Sequence, residues 1–186
     1  MGAPRRNKKK YEKPKEMWSN ERISSDGAFV KEYGLKNMKE LWMMQTELSR
    51  IRRNARELLS GSAGSERQAN EMIKRLVKFG ITRENATLDD LLDLNEKSLL
   101  ERRLQSVVMR KGLARTMAQS RQLIVHGFIS INGVRVNRPG YRVSLSEEGM
   151  IGYYKPIDIT VSKVAEAPAA PVDGPQEQQA ESAQNQ

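Results

Sequence analysis

The dipeptide Asn132-Gly133 lies between two alternating apolar segments and constrains the fold more than any other feature of the sequence. Asn-Gly is the pair best suited to a two-residue type I′ turn, so residues 128–131 and 134–136 are predicted to form a β-hairpin. We expect its apolar side chains to pack on the preceding helices and its arginines to point outward: Ile129, Ile131, Val134 and Val136 inward, Arg135 and Arg138 outward. The alternation of Tyr141, Val143 and Leu145 predicts a further strand.

A helix with clear start and end signals precedes the hairpin. Thr116 followed by Gln119 is a capping box, and Gly127 can adopt the left-handed conformation that ends a helix. The pattern predicts a helix from about Met117 to His126. Helix and hairpin together indicate a small sheet packed on helices.

Positive charge is concentrated around this helix and hairpin. Residues 101–146 contain nine basic side chains and one acid, Glu101, and such an excess indicates an anionic partner. The start of the helix offers amide N–H groups and the positive end of a dipole to a phosphate, with Arg115 just before it and Arg121 one turn in. We predict RNA contacts from Arg102, Arg103, Arg110, Lys111, Arg115, Thr116, Gln119, Arg121, His126, Asn132, Arg135 and Arg138.

The first half of the chain has a helical pattern. Apolar side chains recur at spacings of three and four, which predicts one buried helical face: Leu41, Met44, Leu48, Ile51, Ala55 and Leu58. Four arginines cluster on the more polar side of the same helix, where a solvated face and a phosphate-binding face are both open interpretations: Arg50, Arg52, Arg53 and Arg56.

Residues 61–100 are nearly balanced in charge, and we expect them to serve as packing scaffold. Ser65 with Gln68 and Thr87 with Asp90 form capping boxes that open two helices. Asn95 is a candidate cap for a third, which the apolar pattern extends without a break to Gly112.

The two ends of the chain lack the apolar residues that a core needs. The N-terminal arm, residues 1–18, is either a solubilising tail or a segment that becomes ordered along phosphates; its candidate RNA contacts are Arg5, Arg6, Lys8, Lys9, Lys10 and Tyr11. Residues 161–186 form an acidic tail rich in Pro, Ala and Gln that we expect to be disordered, either as a solvated extension or in contact with basic neighbours. Between them we predict a helical part, 19–100, and an RNA-binding domain, 101–160.

Several function classes are disfavoured by composition. The sequence has no cysteine and one histidine, so thiol catalysis, disulfides and imidazole-rich metal sites are not expected. Residues 1–164 hold 32 basic and 19 acidic side chains, a net charge of +13, but no apolar run approaches the roughly 20 residues that span a bilayer. Nucleic acid is therefore favoured over a membrane, and we predict a cytoplasmic protein without a cofactor.

The sequence from Gly112 to Val143 (GLARTMAQSRQLIVHGFISINGVRVNRPGYRV) resembles the S4 RNA-binding domain. In that family, the helix start at Arg115-Thr116, the hairpin start at His126-Gly127 and the Asn132-Gly133 turn correspond to the RNA-facing surface. Phe128 departs from the pattern, in which a polar residue or a second histidine is more usual. The flanks, YGLKN at 33–37, the arginines of 50–56 and AREL at 55–58, resemble the S4 ribosomal protein family of archaeal and eukaryotic type.

The resemblance implies an α+β protein, mainly helical in its N-terminal part with an embedded S4-type module. It implies a structural, non-enzymatic constituent of the small ribosomal subunit that is a primary 16S rRNA-binding protein. Such a protein holds a junction in the five-prime domain of the rRNA, nucleates assembly of the subunit body and influences translational accuracy. Implied partners are 16S rRNA, neighbouring small-subunit proteins and messenger RNA on its path into the subunit. The alternatives are a free-standing RNA chaperone or stress-type module and, less favoured, an accessory of an RNA-modifying enzyme.

Overall fold

The computed structural model describes residues 9–61 and 65–156. Predictions for the remaining residues, among them Arg5, Arg6, Lys8 and the acidic tail, lie outside the described residues, as does the side chain of Ser65. The described elements are α1 (Asn20–Glu32), α2 (Met38–Leu59), α3 (Ser65–Lys78), α4 (Leu88–Leu92), α5 (Glu96–Glu101), α6 (Leu104–Arg110), α7 (Met117–His126), β1 (Ile129–Ile131), β2 (Val134–Arg135), α8 (Leu145–Glu148) and β3 (Ile151–Tyr153). An α+β fold, mainly helical in its first part, is thereby confirmed.

Two hydrophobic cores divide the described chain between Leu100 and Leu104. The first core is built around α2, on which α1, α3, α4 and α5 pack, and it includes Leu41, Leu91 and Leu99, which are fully buried. Most of the helical face predicted between Leu35 and Leu59 is confirmed: Leu41, Met44, Leu48 and Ala55 are buried, whereas Ile51 and Leu58 are half-buried. Helix α1 was not predicted, because only Asp26 is buried along it and its apolar pattern is weak.

The second core lies between α6, α7 and a three-stranded antiparallel sheet with the order β2-β1-β3. The predicted hairpin is confirmed: Ile131 pairs with Val134, and both turn residues have positive φ, 50° at Asn132 and 75° at Gly133. Ile129 and Ile131 are buried as expected. Val134 is not, because β2 is the edge strand and Val134 lies beside the exposed turn, where it stays 68% exposed.

The strand predicted from Tyr141 to Leu145 is wrong. Only Arg142 makes a β-bridge there, to Arg103, and the chain then forms α8. Ser144 and Glu147 make a capping box that opens α8, since each side chain bonds the other residue's backbone N–H. The third strand is β3 instead, and it pairs with β1.

The continuous helix predicted from residue 96 to Gly112 is also wrong. It divides into α5 and α6, because the backbone at Arg102 and Arg103 bonds the segment around Arg142: the Val143 N–H donates to the Arg102 carbonyl at 3.1 Å. Thr87 and Asp90 form the expected capping box, whereas the side chain of Asn95, at the start of α5, makes no capping hydrogen bond.

Candidate nucleic-acid interface

Helix α7 is positioned by bonds at its start. Thr116 accepts a hydrogen bond from the Gln119 N–H at 3.1 Å, which is half of the predicted capping box. The other half differs, since the Gln119 side chain accepts from the N–H of Arg115, not of Thr116. Gly127, with a φ of 74°, ends the helix as expected. These bonds hold the backbone of Arg115 against the start of α7 while its side chain is exposed to solvent.

The buried amide of Gln105 joins α7 to the first core. Its Nε2 donates to the carbonyls of Tyr33 at 3.2 Å, Gly34 at 3.0 Å and Met117 at 2.9 Å. Gly34 has a φ of 55°, and a Cβ there would lie 2.9 Å from the Cβ of Met117. The turn after α1 thus lies directly against the start of α7, a contact that only a glycine permits.

Arg103 and Arg121 both bind one carboxylate on α2, that of Glu40. A guanidinium nitrogen of Arg103 lies 2.6 Å from Glu40 Oε2, and one of Arg121 lies 2.7 Å from Oε1. Burial acts to raise the pKa of Glu40, but the hydrogen bonds from Arg121 and Arg103 outweigh it and hold the pKa below its ordinary value. Glu40 is therefore ionised at neutral pH and joins α2 to the second core.

The structure gives no support to the prediction that Arg103 contacts RNA. Its side chain is only 4% exposed, and its guanidinium is directed inward to Glu40. A buried, paired arginine would have to break a structural ion pair to reach a phosphate.

Four more cations of the 101–146 segment also make side-chain bonds to acidic residues or to a carbonyl of the chain. Arg102 binds Glu148 at 2.9 Å and Arg110 binds Glu101 at 2.6 Å, while Arg142 pairs with Glu47 and Lys111 bonds the Glu148 carbonyl. The bond from Arg110 holds the pKa of Glu101 below its ordinary value. Neither the pairs nor the roles of Glu40, Glu47 and Glu148 were predicted. Apart from Arg110 and Glu101, which are nine residues apart, the partners lie 37 to 95 residues apart and leave no local signal.

Three cations of this segment have exposed side chains and no ion pair within residues 9–61 and 65–156: Arg115, Arg135 and Arg138. Arg115 precedes the start of α7, whereas Arg135 donates to the His126 carbonyl at the end of α7, at 3.2 Å. His126 is exposed, with its ring centroid 6.4 Å from that of Phe128. A ten-residue helix is about 15 Å long, so this surface extends along α7 and onto the hairpin, where Asn132 is exposed at the turn.

The arginines of α2 are divided between two roles. Arg52 donates to the Leu94 carbonyl at 2.6 Å and so belongs to the scaffold. Arg50, Arg53 and Arg56 are exposed and follow one another at intervals of three along one side of the helix. Among the residues that the structure describes, only Arg53 of these three makes an ion pair, with Glu57 at 3.8 Å. This side of α2 is a second cationic surface.

The described part of the arm is attached to α2. The Glu12 N–H donates to Thr46 Oγ1 at 2.9 Å, and the Tyr11 ring lies 6.0 Å from that of Trp42. Lys9 Nζ lies 4.7 Å from the Tyr11 ring centroid, and Lys10 is exposed. Tyr11 thus anchors the arm to the folded part of the chain.

Comparison with known proteins identifies the family of this chain. A model described as the S4 domain matches residues 102–148, from the division between α5 and α6 to the end of α8. The small ribosomal subunit protein uS4 of Methanococcus aeolicus is 50% identical over 155 residues, which cover 82% of this chain and 88% of the relative. The chain belongs to the uS4 family. The uS4 proteins of Saccharolobus islandicus and Ignicoccus hospitalis are 46% and 47% identical, over 83% and 82% of this chain and 86% and 93% of theirs.

Membership of the uS4 family confirms both resemblances drawn from the sequence, that of the S4 domain and that of its archaeal-type ribosomal flanks. In this uS4-family chain, no helix of the described residues is long and apolar enough to cross a membrane.

Proposed function

We propose that this chain is a structural constituent of the small ribosomal subunit that binds 16S rRNA directly. The observation that carries the proposal is the distribution of its cations: most arginines of the S4 module are used in internal pairs, and those left exposed follow α7 and the hairpin. Cations that are exposed and individually unneutralised are the ones that can displace counterions from a nucleic acid.

RNA contact on the module is assigned to the two ends of α7. At its start, the exposed Arg115 lies next to the positive end of the helix dipole, a combination that suits a phosphate. At its end, Arg135 and the exposed His126 offer a second group of donors, and the exposed Arg138 follows β2 in the chain. Backbone and shape are read here more than base sequence, since these are contacts suited to phosphates and riboses.

A second contact involves α2 and the arm. The exposed side formed by Arg50, Arg53 and Arg56 and the lysines of the arm add positive charge outside the S4 module. By neutralising phosphates of converging RNA helices, the two surfaces lower the repulsion that keeps those helices apart. This supports a role in holding a junction of the five-prime domain and in nucleating assembly of the subunit body.

The family resemblance supports the finer parts of the proposal. These are contact with neighbouring small-subunit proteins, contact with messenger RNA on its path into the subunit, an influence on translational accuracy, a cytoplasmic location and a role without catalysis or cofactor.

Footprinting of the purified chain on 16S rRNA tests the proposal. Protection confined to a junction in the five-prime domain is expected, together with sedimentation of the native protein with small subunits at high salt. Diffuse protection and release as a free species would refute the ribosomal role in favour of an RNA chaperone.

A further inference from the structure

Trp18, between the arm and α1, retains 90% of its solvent-accessible surface. It is the most exposed of the large apolar residues in the described part of the chain. Tryptophan is highly buried on average, so an exposure of this size is unusual for the residue type.

Packing against the described part of the fold does not explain why a tryptophan occurs at position 18. Ser19 is the N-cap of α1, so Trp18 immediately precedes the cap, a position from which an apolar side chain often packs on the fourth residue of the helix. That residue is Ile23, which is itself 41% exposed. The exposure of both side chains shows that this contact is not made.

The backbone that carries Trp18 is nevertheless fixed. Arg22 donates from Nε to the Glu16 carbonyl at 2.9 Å and from a terminal nitrogen to the Met17 carbonyl at 2.8 Å. Its other terminal nitrogen binds the carboxylate of Asp26 at 2.8 Å, and Asp26 is buried. Arg22 therefore holds the turn before α1 in one arrangement, and the indole ring is presented from a preorganised backbone.

The charge beside Trp18 favours an anionic partner. Lys13 and Lys15 are exposed, and residues 5–18 contain seven basic side chains but only two acids, Glu12 and Glu16. Five residues of chain span at most about 18 Å, so both lysines lie within reach of the phosphates next to a nucleotide held at the indole ring.

We propose that Trp18 is a stacking platform for an unpaired RNA base, with Lys13 and Lys15 neutralising the adjoining phosphates. The proposal rests on the proposed rRNA binding and adds a site outside the S4 module and outside the predicted contacts. Every base has a π-face, so the platform takes single-stranded nucleotides with little preference for sequence. A base-paired and stacked nucleotide is excluded, because its faces are already covered.

The test compares Trp18→Leu with Trp18→Phe in the full-length protein, using filter binding to a five-prime-domain fragment of 16S rRNA. Leucine keeps an apolar side chain but has no π-face, so we expect Trp18→Leu to weaken binding by about 5- to 150-fold. Trp18→Phe keeps an aromatic ring and is expected to retain most of the affinity. The salt dependence should be unchanged in both, whereas Lys15→Ala should flatten the log-log slope by about 0.7.

A fluorescence titration gives a second readout. In a Trp42→Phe background, Trp18 is the sole tryptophan, and its emission should be quenched by poly(U) but not by a fully paired RNA duplex. Affinity of Trp18→Leu equal to wild type, or equal losses in Trp18→Leu and Trp18→Phe, would overturn the stacking role. If Trp18→Leu binds RNA normally but is lost from reconstituted subunits, a protein neighbour is the partner and the proposal is wrong. Failure of the wild-type chain to bind the fragment would instead refute the proposed function.

Discussion

Substitution of Glu40 by glutamine should destabilise the fold far more than is usual for a partly exposed residue in the first turn of a helix. The substitution keeps the size of the side chain and removes the charge shared by Arg103 and Arg121. Arg103 is 4% exposed and keeps its charge, and breaking a buried ion pair on one side costs about 3–5 kcal/mol. Because Glu40 and Arg121 are each more than a fifth exposed, water screens part of the interaction, and we expect the lower end, about 3 kcal/mol.

Urea denaturation followed by circular dichroism measures this free energy of unfolding. Glu57→Gln is the matched control, since Glu57 pairs with Arg53 at 3.8 Å with both side chains about two thirds exposed, and its loss should cost less than about 0.5 kcal/mol. In the Glu40→Gln background, Arg103→Met should recover part of the lost stability, because it removes the uncompensated buried charge. Equal stabilities of Glu40→Gln and Glu57→Gln would refute the reasoning.

Three further predictions concern acid stability, the close contact at α7 and RNA binding. The pKa of Glu40 is lowered in the folded state, so the ionised carboxylate contributes to the free energy of unfolding above its ordinary pKa of 4.5, and this contribution is lost as pH falls through the folded pKa. Wild type should therefore lose more stability than Glu40→Gln in an acid titration, and parallel curves would contradict this. Gly34→Ala should destabilise by about 1–2 kcal/mol from its positive φ alone, and by more because the new Cβ meets Met117. Gly61→Ala, also at positive φ but with no described residue within 4 Å of the new Cβ, should show only the first cost in the same urea denaturation. Arg115→Ala should flatten the log-log salt dependence of 16S rRNA binding by about 0.7 to 0.9, and an unchanged slope in filter binding would remove Arg115 from the interface.

The sequence predicted those elements whose signals are local. Helix α7 and the hairpin were predicted from Thr116, Gly127 and Asn132-Gly133 because caps and turns depend on a few neighbouring residues. The division between α5 and α6 could not be predicted, since the cause is pairing of residues 102–103 with 142–143. The capping box at Ser144 and Glu147 was present in the sequence, but the apolar alternation from Tyr141 to Leu145 favoured a strand.

Prediction of the interface was limited for the same reason. Charge density located the basic segment, but it could not distinguish cations that are paired inside the fold from cations that are free to bind. Arg103 and Arg115 are both basic residues of the same segment, yet one is buried against Glu40 and the other is exposed. The difference depends on carboxylates of α2 that lie far away in sequence.

Those carboxylates also have a consequence for binding. Glu40 and Glu47 are seven residues apart, so they lie on the same side of α2 about 10 Å apart, and they hold Arg103, Arg121 and Arg142 of the S4 module. They neutralise positive charge beside the proposed RNA-binding surface, which would gain affinity from a larger positive charge. In return, they fix the module against the helix that carries the second cationic surface. Both surfaces are therefore aligned before RNA arrives, which lowers the ordering cost of binding to two RNA segments at once.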